Sequence, residues 1–259
     1  SWKQGYAGQV TEQFVESIFS ATSFNECYKS VVVWLYFGGK NVFIQDANSL
    51  TMKPGDFISA LTYLKEAFPT IERVTSYARS RTIAKRLSVE DLKAMKEAGL
   101  TRLHIGLESG NDFLLTYMNK GVTKDGHIES GRKVKKSGIE LSEYIVLGMG
   151  GRKWWKEHVD DTSDVLNAIN PDFIRFRTLK VTKDMPIFEK VECGDFVISS
   201  EEEIIKEERS LIERLNGITS YIKSDHILNL LEEIEGKLPE DKEKMLRIID
   251  DFTSLGDEQ

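Results

Sequence analysis

Ionisable side chains lie on a strand-like segment where apolar residues are expected. In the segment RLHIGLES (residues 102–109), three aliphatic residues alternate with Arg102, His104, Gly106 and Glu108. Successive strand residues point to opposite faces, so one face of this strand is apolar and the other carries the charges. Strands of a parallel sheet are normally apolar on both faces. An unpaired buried charge is very costly, so these groups must pair with one another or with a ligand.

Neighbouring strand-like segments repeat this pattern. VTSYAR places Tyr77 and Arg79 on one face, and VFIQD ends in Asp46. DFIRFRTL carries Arg175 and Arg177 on one face. Parallel α/β folds bind ligands at the carboxyl ends of their strands. The sequence therefore predicts a polar ligand site at that end, and the alternative is a salt-bridged structural lining that holds no ligand.

The order of the predicted elements determines how these side chains meet. Strand-like runs alternate with helical patterns along the chain, and they begin at Asn41, Arg73, Arg102, Leu141 and Asp172. The helical patterns have clear signals at their ends, such as Ser88 three residues before Asp91 in capping-box spacing. This alternation predicts parallel strands joined by right-handed helical crossovers. This pattern fits an α/β fold that is a partial or complete barrel or an open doubly wound sheet.

The pattern changes towards the C-terminus. SSEEEIIKEERSLIERLNG has the pattern of one long amphipathic helix. DHILNLLEEIEGKLPEDKEKMLRIIDDF is predicted to form two more helices, around Gly236 and Pro239. We therefore predict a barrel over residues 1–198 and a helical C-terminal extension over residues 199–259 that packs on it.

Composition limits the class of protein. The content of 40% hydrophobic and 30% charged residues is that of a globular protein with a sizeable core. The longest apolar run, from Val31 to Phe37, is far too short to span a bilayer. The two cysteines, Cys27 and Cys193, indicate a reducing cytoplasmic location rather than a disulfide framework. The net charge of −7 disfavours a nucleic-acid partner.

Several segments together resemble a known family. IGLESGNDFLLTYMNKGVTKDG, followed by KKSGIELSEYIVLGMGG, resembles the core of the radical S-adenosylmethionine (radical SAM) enzymes. The earlier segments NVFIQDANSL and LSVEDLKAMKEAGLTRLHIGLESG resemble an oxidoreductase-like iron–sulfur branch of that superfamily. The match extends over most of the chain from about Thr11. It implies an α/β fold, a parallel partial (β/α) barrel of TIM-like type. This barrel would bind S-adenosylmethionine on the charged face of HIGLES.

The resemblance implies contacts with the methionine part of the cofactor. A motif after the family's second strand, usually two glycines and a glutamate, binds the methionine amino group largely through backbone carbonyls. Its counterpart in this sequence is Gln45, Asp46 and Ala47. Their letters differ from the usual motif, which backbone recognition tolerates. Arg79 is placed to pair with the methionine carboxylate.

The resemblance also implies contacts with the ribose and the adenine. Glu108 and Ser109 fall where the family contacts the ribose hydroxyls. A carboxylate suits this role because it accepts two hydrogen bonds. The positions that match the family's adenine-contacting region are Leu147, Gly148, Arg175 and Phe176.

The family's signature, CxxxCxxC, does not occur in the sequence. Its three thiolates hold a 4Fe–4S cluster and leave one iron open for S-adenosylmethionine. One interpretation is a degenerate remnant formed by Ser23, Cys27 and Ser30, which have the right spacing. The favoured interpretation is that the cysteines precede Ser1 in a longer protein. In both cases this chain is not expected to hold a conventional cluster, and no metal ligand is assigned to it.

The resemblance implies a function for the intact protein. It would cleave S-adenosylmethionine reductively to a 5′-deoxyadenosyl radical, using a 4Fe–4S cluster and an electron donor such as flavodoxin or ferredoxin. The substrate, a small molecule or another compound, is not identified by the sequence. One alternative is a non-catalytic barrel that binds S-adenosylmethionine or a nucleotide. Another is a phosphate-binding barrel that uses GMGGRKWW as its loop.

Overall fold

A seven-stranded sheet forms the centre of the fold. The computed structural model describes residues 10–21 and 25–256, with the backbone only at 255 and 256. The strands lie in sequence order across the sheet. They are β1 (Asn41–Ile44), β2 (Arg73–Ala78), β3 (Leu100–Glu108), β4 (Glu140–Leu147), β5 (Phe173–Thr178), β6 (Tyr221–Lys223) and β7 (Glu235–Lys237).

The sheet is mainly parallel and it is open. Strands β1 to β6 pair in parallel, and β7 pairs antiparallel with β6. Within the described residues, β1 pairs only with β2 and β7 only with β6, so the two edges do not meet. This arrangement confirms the predicted α/β class with a partial rather than a closed barrel.

Helices connect the strands and flank the sheet. They are α1 (Glu12–Ser20), α2 (Glu26–Tyr36), α3 (Pro54–Ala67), α4 (Ser80–Arg86), α5 (Val89–Glu97), α6 (Asp112–Tyr117), α7 (Lys124–Ser137), α8 (Gly151–Ile169), α9 (Ile187–Glu192), α10 (Glu201–Arg214) and α11 (Lys242–Gly256). The predicted capping box at Ser88 and Asp91 is present at the start of α5. Helix α7 begins after Thr123, whose side chain accepts from the Gly126 amide, and it ends before Gly138, whose φ of 77° favours glycine.

The apolar face of β3 forms part of the core. Leu103, Ile105 and Leu107 are completely buried in one cluster with residues of the flanking helices, such as Leu92 of α5 and Val134 of α7. Burial of each such side chain contributes roughly 1.5–3 kcal/mol. The alternation read from the sequence is confirmed, because Gly106, on the opposite face, is exposed.

The C-terminal part differs from the prediction in one respect. Helices α10 and α11 are present, but residues 225–234 form turns rather than a helix, and β7 follows them. The prediction of a helix around Gly236 is therefore wrong. Strand β6 also belongs to the sheet, and its Ile222 is completely buried. A strand of three residues is too short to give an alternating pattern. The division of the chain at residue 199 stays a prediction.

No helix among the described residues combines the length and the apolar character needed to cross a membrane.

Candidate cofactor site

A cavity of about 900 Å³ opens at the carboxyl ends of the central strands. Five of the side chains predicted to bind the cofactor line it together, although they come from three separate stretches of the sequence. They are Gln45, Asp46, Ala47, Arg79 and Glu108. Each stretch follows or ends a parallel strand, and parallel strands bring such ends to one edge of the sheet.

Glu108 presents its carboxylate to this cavity from the last position of β3. Its ion-pair partner is Lys120, and the two side chains are 28% and 37% exposed. A salt bridge from Glu108 to Arg175 or Arg177 does not form. Arg175 instead donates to Asp225 at 2.8 and 3.1 Å. The Glu108 side chain is therefore partly exposed while its Oε2 atom is covered, and its partner is a lysine that a ligand can displace.

The loop after β1 is fixed from within. The Asp46 carboxylate accepts a hydrogen bond from the Ala47 amide at 2.7 Å, and the Gln45 carbonyl accepts one from the Ser49 hydroxyl at 3.1 Å. Asn48 joins this loop to the next strand end, because its side-chain oxygen accepts from the Arg79 amide at 3.1 Å. The two neighbouring strand ends therefore form one connected rim of the cavity.

Left-handed backbone is concentrated at the cavity. Among the described residues, four other than glycine have positive φ, and three of them, Asp46, Glu108 and Asn119, line the cavity. The fourth, Asn170, caps α8. Asparagine and aspartate tolerate this conformation, whereas the φ of 62° at Glu108 is uncommon for its residue type. Such strain costs on the order of 1–3 kcal/mol and is found most often at functional sites.

Comparison with known proteins identifies the family. The family profile described as the Radical SAM superfamily matches residues 29–164, which is more than half of the chain. The chain belongs to the radical SAM superfamily. The matched part runs from α2 to α8 and contains strands β1 to β4, including the Glu108 rim.

Curated relatives are similar over part of their length. A biotin synthase of Clostridium botulinum (strain Hall) is 32% identical over 123 residues, which are 46% of this chain and 35% of that protein. A tRNA uridine(34) acetyltransferase of Methanocaldococcus jannaschii is 23% identical over 141 residues, 52% of this chain and 23% of that protein. The chain thus spans about a third of the biotin synthase.

Solved structures share the fold. The archaeal Methanocaldococcus infernus Elp3 superposes with a TM-score of 0.57 at 15% identity, covering 83% of this chain and 54% of that one. Coproporphyrinogen III oxidase (HemN) from Escherichia coli gives a TM-score of 0.54 at 13% identity, with 84% and 47% covered. At these identities the likeness concerns the fold alone.

Five of the residues assigned from the radical SAM resemblance do not line the cavity. Leu147 and Phe176 lie in the core, and their neighbours on the other strand face, Val146 and Arg177, line the cavity instead. The other three residues outside it are Ser109, Gly148 and Arg175. A one-residue step along a strand moves a side chain to the opposite face, so Leu147 and Phe176 each lie one position from a residue that lines the cavity. The roles assigned to these five residues stay predictions.

A sealed polar layer lies on the outer side of the sheet, against α8 and α10. His158 accepts from or donates to the Ser109 hydroxyl at 2.8 Å, and the Gly148 amide donates to the Glu207 carboxyl at 2.8 Å. Burial lowers the pKa of His158 to about 4 and raises the pKa of Glu207 to about 8. Their 3.4 Å contact is therefore one between neutral groups near pH 7 rather than an ion pair. Burial also raises the pKa of Glu143.

No set of three or more His, Cys, Asp or Glu side chains in the described part of the chain is arranged to hold a metal. Of the three residues considered as a cluster remnant, Ser23 lies outside the described residues. Cys27 is exposed on α2, and the Ser30 hydroxyl donates to the Glu26 carbonyl at 2.9 Å. The cavity offers ligands for an organic cofactor, and the described residues offer none for the cluster.

The alternative phosphate-binding loop is occupied by protein. Helix α8 begins at Gly151, and the Arg152 amide in its first turn donates to the Val197 carbonyl at 3.0 Å. A Cβ on Gly151 would lie 2.5 Å from that same carbonyl. The chain around Val197 therefore covers the helix end that a phosphate would need.

Sequence reasoning missed two kinds of cavity residue. Asn119 and Lys120 come from the turn after α6, and Tyr144 comes from the middle of β4. The turn folds back over the cavity through tertiary packing, which leaves no local signal. Tyr144 could have been found, because it alternates with the buried Glu143 and Ile145 on the pattern that placed His104.

Proposed function

We propose that the cavity binds S-adenosylmethionine and that the Glu108 carboxylate accepts hydrogen bonds from its ribose hydroxyls. The proposal rests on the partly exposed carboxylate of Glu108. This residue ends β3 with a strained backbone and lines the cavity of a protein of the radical SAM superfamily. A carboxylate has two oxygens for two neighbouring hydroxyls. Displacement of the Lys120 ammonium would leave both oxygens free for the ligand.

The size and charge of the cavity fit such a cofactor. A volume of about 900 Å³ lies within the usual range for a cofactor site. The Arg79 guanidinium at the rim would pair with the methionine carboxylate, and the 45–47 loop would hold the amino group. These roles place the methionine end at β1 and β2 and the nucleoside end at β3.

The proposed activity belongs to the intact protein. We propose that the intact protein binds a 4Fe–4S cluster through a CxxxCxxC motif that this sequence does not contain and that flavodoxin or ferredoxin reduces the cluster. The bound cluster and S-adenosylmethionine would supply radical chemistry that removes a hydrogen atom from the substrate. The barrel residues would orient the cofactor and exclude water. Superfamily membership does not favour the non-catalytic alternative.

Calorimetry with 5′-deoxyadenosine tests the proposal without needing the cluster. This probe has the adenine and ribose but lacks the methionine end that a cluster would anchor. We expect Glu108→Ala to weaken its binding at least about tenfold, because a charged hydrogen-bond acceptor is lost. Glu129→Gln, which changes an exposed glutamate of α7, is the matched control and should bind like the wild type.

The same variants then test S-adenosylmethionine in a longer protein that carries the cluster cysteines. Reduction with dithionite should release 5′-deoxyadenosine from the wild type and from Glu129→Gln. Equal probe affinity in Glu108→Ala and wild type, with both proteins folded, would remove the ribose role from Glu108.

A further inference from the structure

Aromatic side chains line the inner face of the sheet below Glu108. The Tyr77 ring lies 5.8 Å from the His104 ring, and the Tyr144 ring lies 5.4 Å from His104 on its other side. Phe43 extends the group, 4.8 Å from Tyr77 and stacked 5.8 Å from His104. Phe43 and Tyr77 are each 37% exposed, so their apolar rings face open space and not the core. We call these four residues the aromatic floor.

His104 is the polar group at the centre of the aromatic floor. It lines the cavity but is only 7% exposed, and its Nδ1 atom has no hydrogen-bond partner among the described residues. Burial, assisted by the nearby guanidinium of Arg175, lowers its pKa to about 4, so the ring is neutral near pH 7. A buried polar atom without a partner is unusual in a native protein and indicates a partner that binds there.

Arg177 supplies a positive charge beside the aromatic floor. Its guanidinium lies 4.6 Å from the Tyr144 ring centre and lines the cavity. Its hydrogen bond to the Phe176 carbonyl and its 3.7 Å approach to Asp225 both use Nη1. Arg175, the next inward arginine, is already neutralised by Asp225. Arg177 therefore keeps Nε and Nη2 for a further acceptor in the part of the chain that the structure describes.

The charge of the cavity favours an anion. Its lining has four cationic and two anionic side chains, in a chain whose net charge is −7. Lys120 pairs with Glu108, and Arg79 has a proposed partner in the cofactor. Arg81 lies on α4, two residues after Arg79, whereas Arg177 comes from β5 and is the cation beside the aromatic floor. An anionic group other than the cofactor carboxylate is needed to pair with Arg177.

We propose that the aromatic floor is the substrate subsite and that the substrate is a planar small molecule bearing a carboxylate. Its flat body would lie against Tyr77 and Tyr144, its carboxylate would accept from Arg177, and a polar atom would bond His104. Stacking on aromatic rings favours planar groups, and a guanidinium matches a carboxylate with two parallel hydrogen bonds. The assignment rests on the proposed function, since the cofactor would occupy the neighbouring rim.

Binding of 2-naphthoate, a planar carboxylate, tests the subsite. We expect calorimetry to show binding to the wild type and a loss of at least about tenfold in Arg177→Gln, because a charge-assisted contact is removed. The neutral 2-naphthamide should bind the wild type more weakly than 2-naphthoate does by a similar factor, because it lacks the negative charge. His104→Phe keeps the ring and removes the polar atom, so a smaller loss of about threefold is expected. Arg81→Gln, which removes another cation of the same cavity, is the matched control and should bind normally.

Competition separates this inference from the proposed function. The subsite predicts that saturating 5′-deoxyadenosine leaves 2-naphthoate binding in place and that Glu108→Ala also retains it. Absence of 2-naphthoate binding, or equal losses in Arg177→Gln and Arg81→Gln, would overturn the subsite while 5′-deoxyadenosine binding stands. If the wild type bound 2-naphthoate but not 5′-deoxyadenosine, the cofactor proposal would be overturned and the substrate subsite would stand.

Discussion

Two regions on opposite faces of the same strands hold the same residue types in different states. The cavity contains His104 and Glu108, and the sealed polar layer contains His158 and Glu207. In the layer both side chains are completely buried and contact each other. In the cavity the carboxylate is partly exposed and meets a flexible lysine. Accessibility, and not residue type, therefore separates a ligand site from internal polar packing.

The layer shows how a fold accommodates acids and bases without a ligand. Burial moves the pKa of His158 down to about 4 and that of Glu207 up to about 8, so each is uncharged near pH 7. Glu207 then serves as a hydrogen-bond acceptor for the Gly148 amide. The difference lies in the glutamates, because Glu108 pairs with Lys120 and both side chains are partly exposed, whereas His104 is neutral like His158.

The largest expected effect comes from filling space in the layer. A Cβ on Gly110 would lie 2.2 Å from the Asp161 carbonyl oxygen and 2.8 Å from the Thr162 Cα, both backbone atoms that cannot turn away. We expect Gly110→Ala to lower the free energy of unfolding by about 3 kcal/mol, measured by urea denaturation.

Gly106→Ala provides the contrast from the cavity side. The added Cβ would lie 2.9 Å from Glu108 Oε1, the far end of a side chain that can swing aside. Stability should change by less than about 1 kcal/mol, while 5′-deoxyadenosine binding weakens. If Gly110→Ala and Gly106→Ala lowered the free energy of unfolding by similar amounts, the layer and the cavity side would be equally tightly packed, which would contradict the difference proposed between them.

The next effect is a change in the pH dependence of stability. Glu207 has a higher pKa folded than unfolded, so the native state binds more protons between about pH 4.5 and 8, and stability falls as pH rises through this window. Glu207→Gln keeps an oxygen for the Gly148 amide and removes the titration. From pH 5 to pH 7.5 it should lose roughly 1–3 kcal/mol less than the wild type.

Urea denaturation at both pH values checks this prediction. Glu213→Gln, on the exposed side of α10, should follow the wild type. His158 acts in the opposite direction, because its lowered pKa removes stability as pH falls from 6.5 towards 4. Parallel pH profiles for Glu207→Gln and wild type would mean that Glu207 is charged in the native layer.

The smallest effect is expected at the ion pair of the cavity. Lys120 and Glu108 are both partly exposed, and such pairs contribute about 0–1 kcal/mol. Lys120→Gln should therefore change the free energy of unfolding by less than about 0.5 kcal/mol. Its affinity for 5′-deoxyadenosine should stay within about threefold of the wild type, since the ligand replaces the lysine. A clear loss of affinity would instead make Lys120 part of the binding site.

The sequence was sufficient for the elements with long patterns. The alternation in β3 predicted both its buried face and its polar face, and the Ser88 capping box marked the start of α5. The tail was less predictable, because β6 has only three residues and the apolar residues of 227–231 lie outside helices and strands, where Leu231 is buried but Ile227 is exposed. Tertiary pairing determines such segments, and local propensity does not.

For the candidate site, the sequence predicted which strand ends lie together. It predicted less well which face of a strand each side chain occupies. Asp46, Arg79 and Glu108 were placed together because parallel strands end at one edge. Leu147 and Phe176 were displaced by one residue from the cavity-lining positions, a step that reverses the face of a strand. The contributions of the turn after α6 depend on how it folds over the sheet, which no short pattern encodes.

The left-handed backbone at Glu108 lowers stability, whereas the glutamate side chain there is the proposed acceptor for the ligand. Asparagine adopts a φ near 62° more readily than glutamate does, so Glu108→Asn should relieve strain while shortening the acceptor. Variants selected from a random library for heat resistance alone would therefore accumulate asparagine or glycine at this position. Retention of glutamate would require selection for ligand binding as well. The residue found at position 108 in the selected variants would therefore indicate whether the cavity was still under selection for binding.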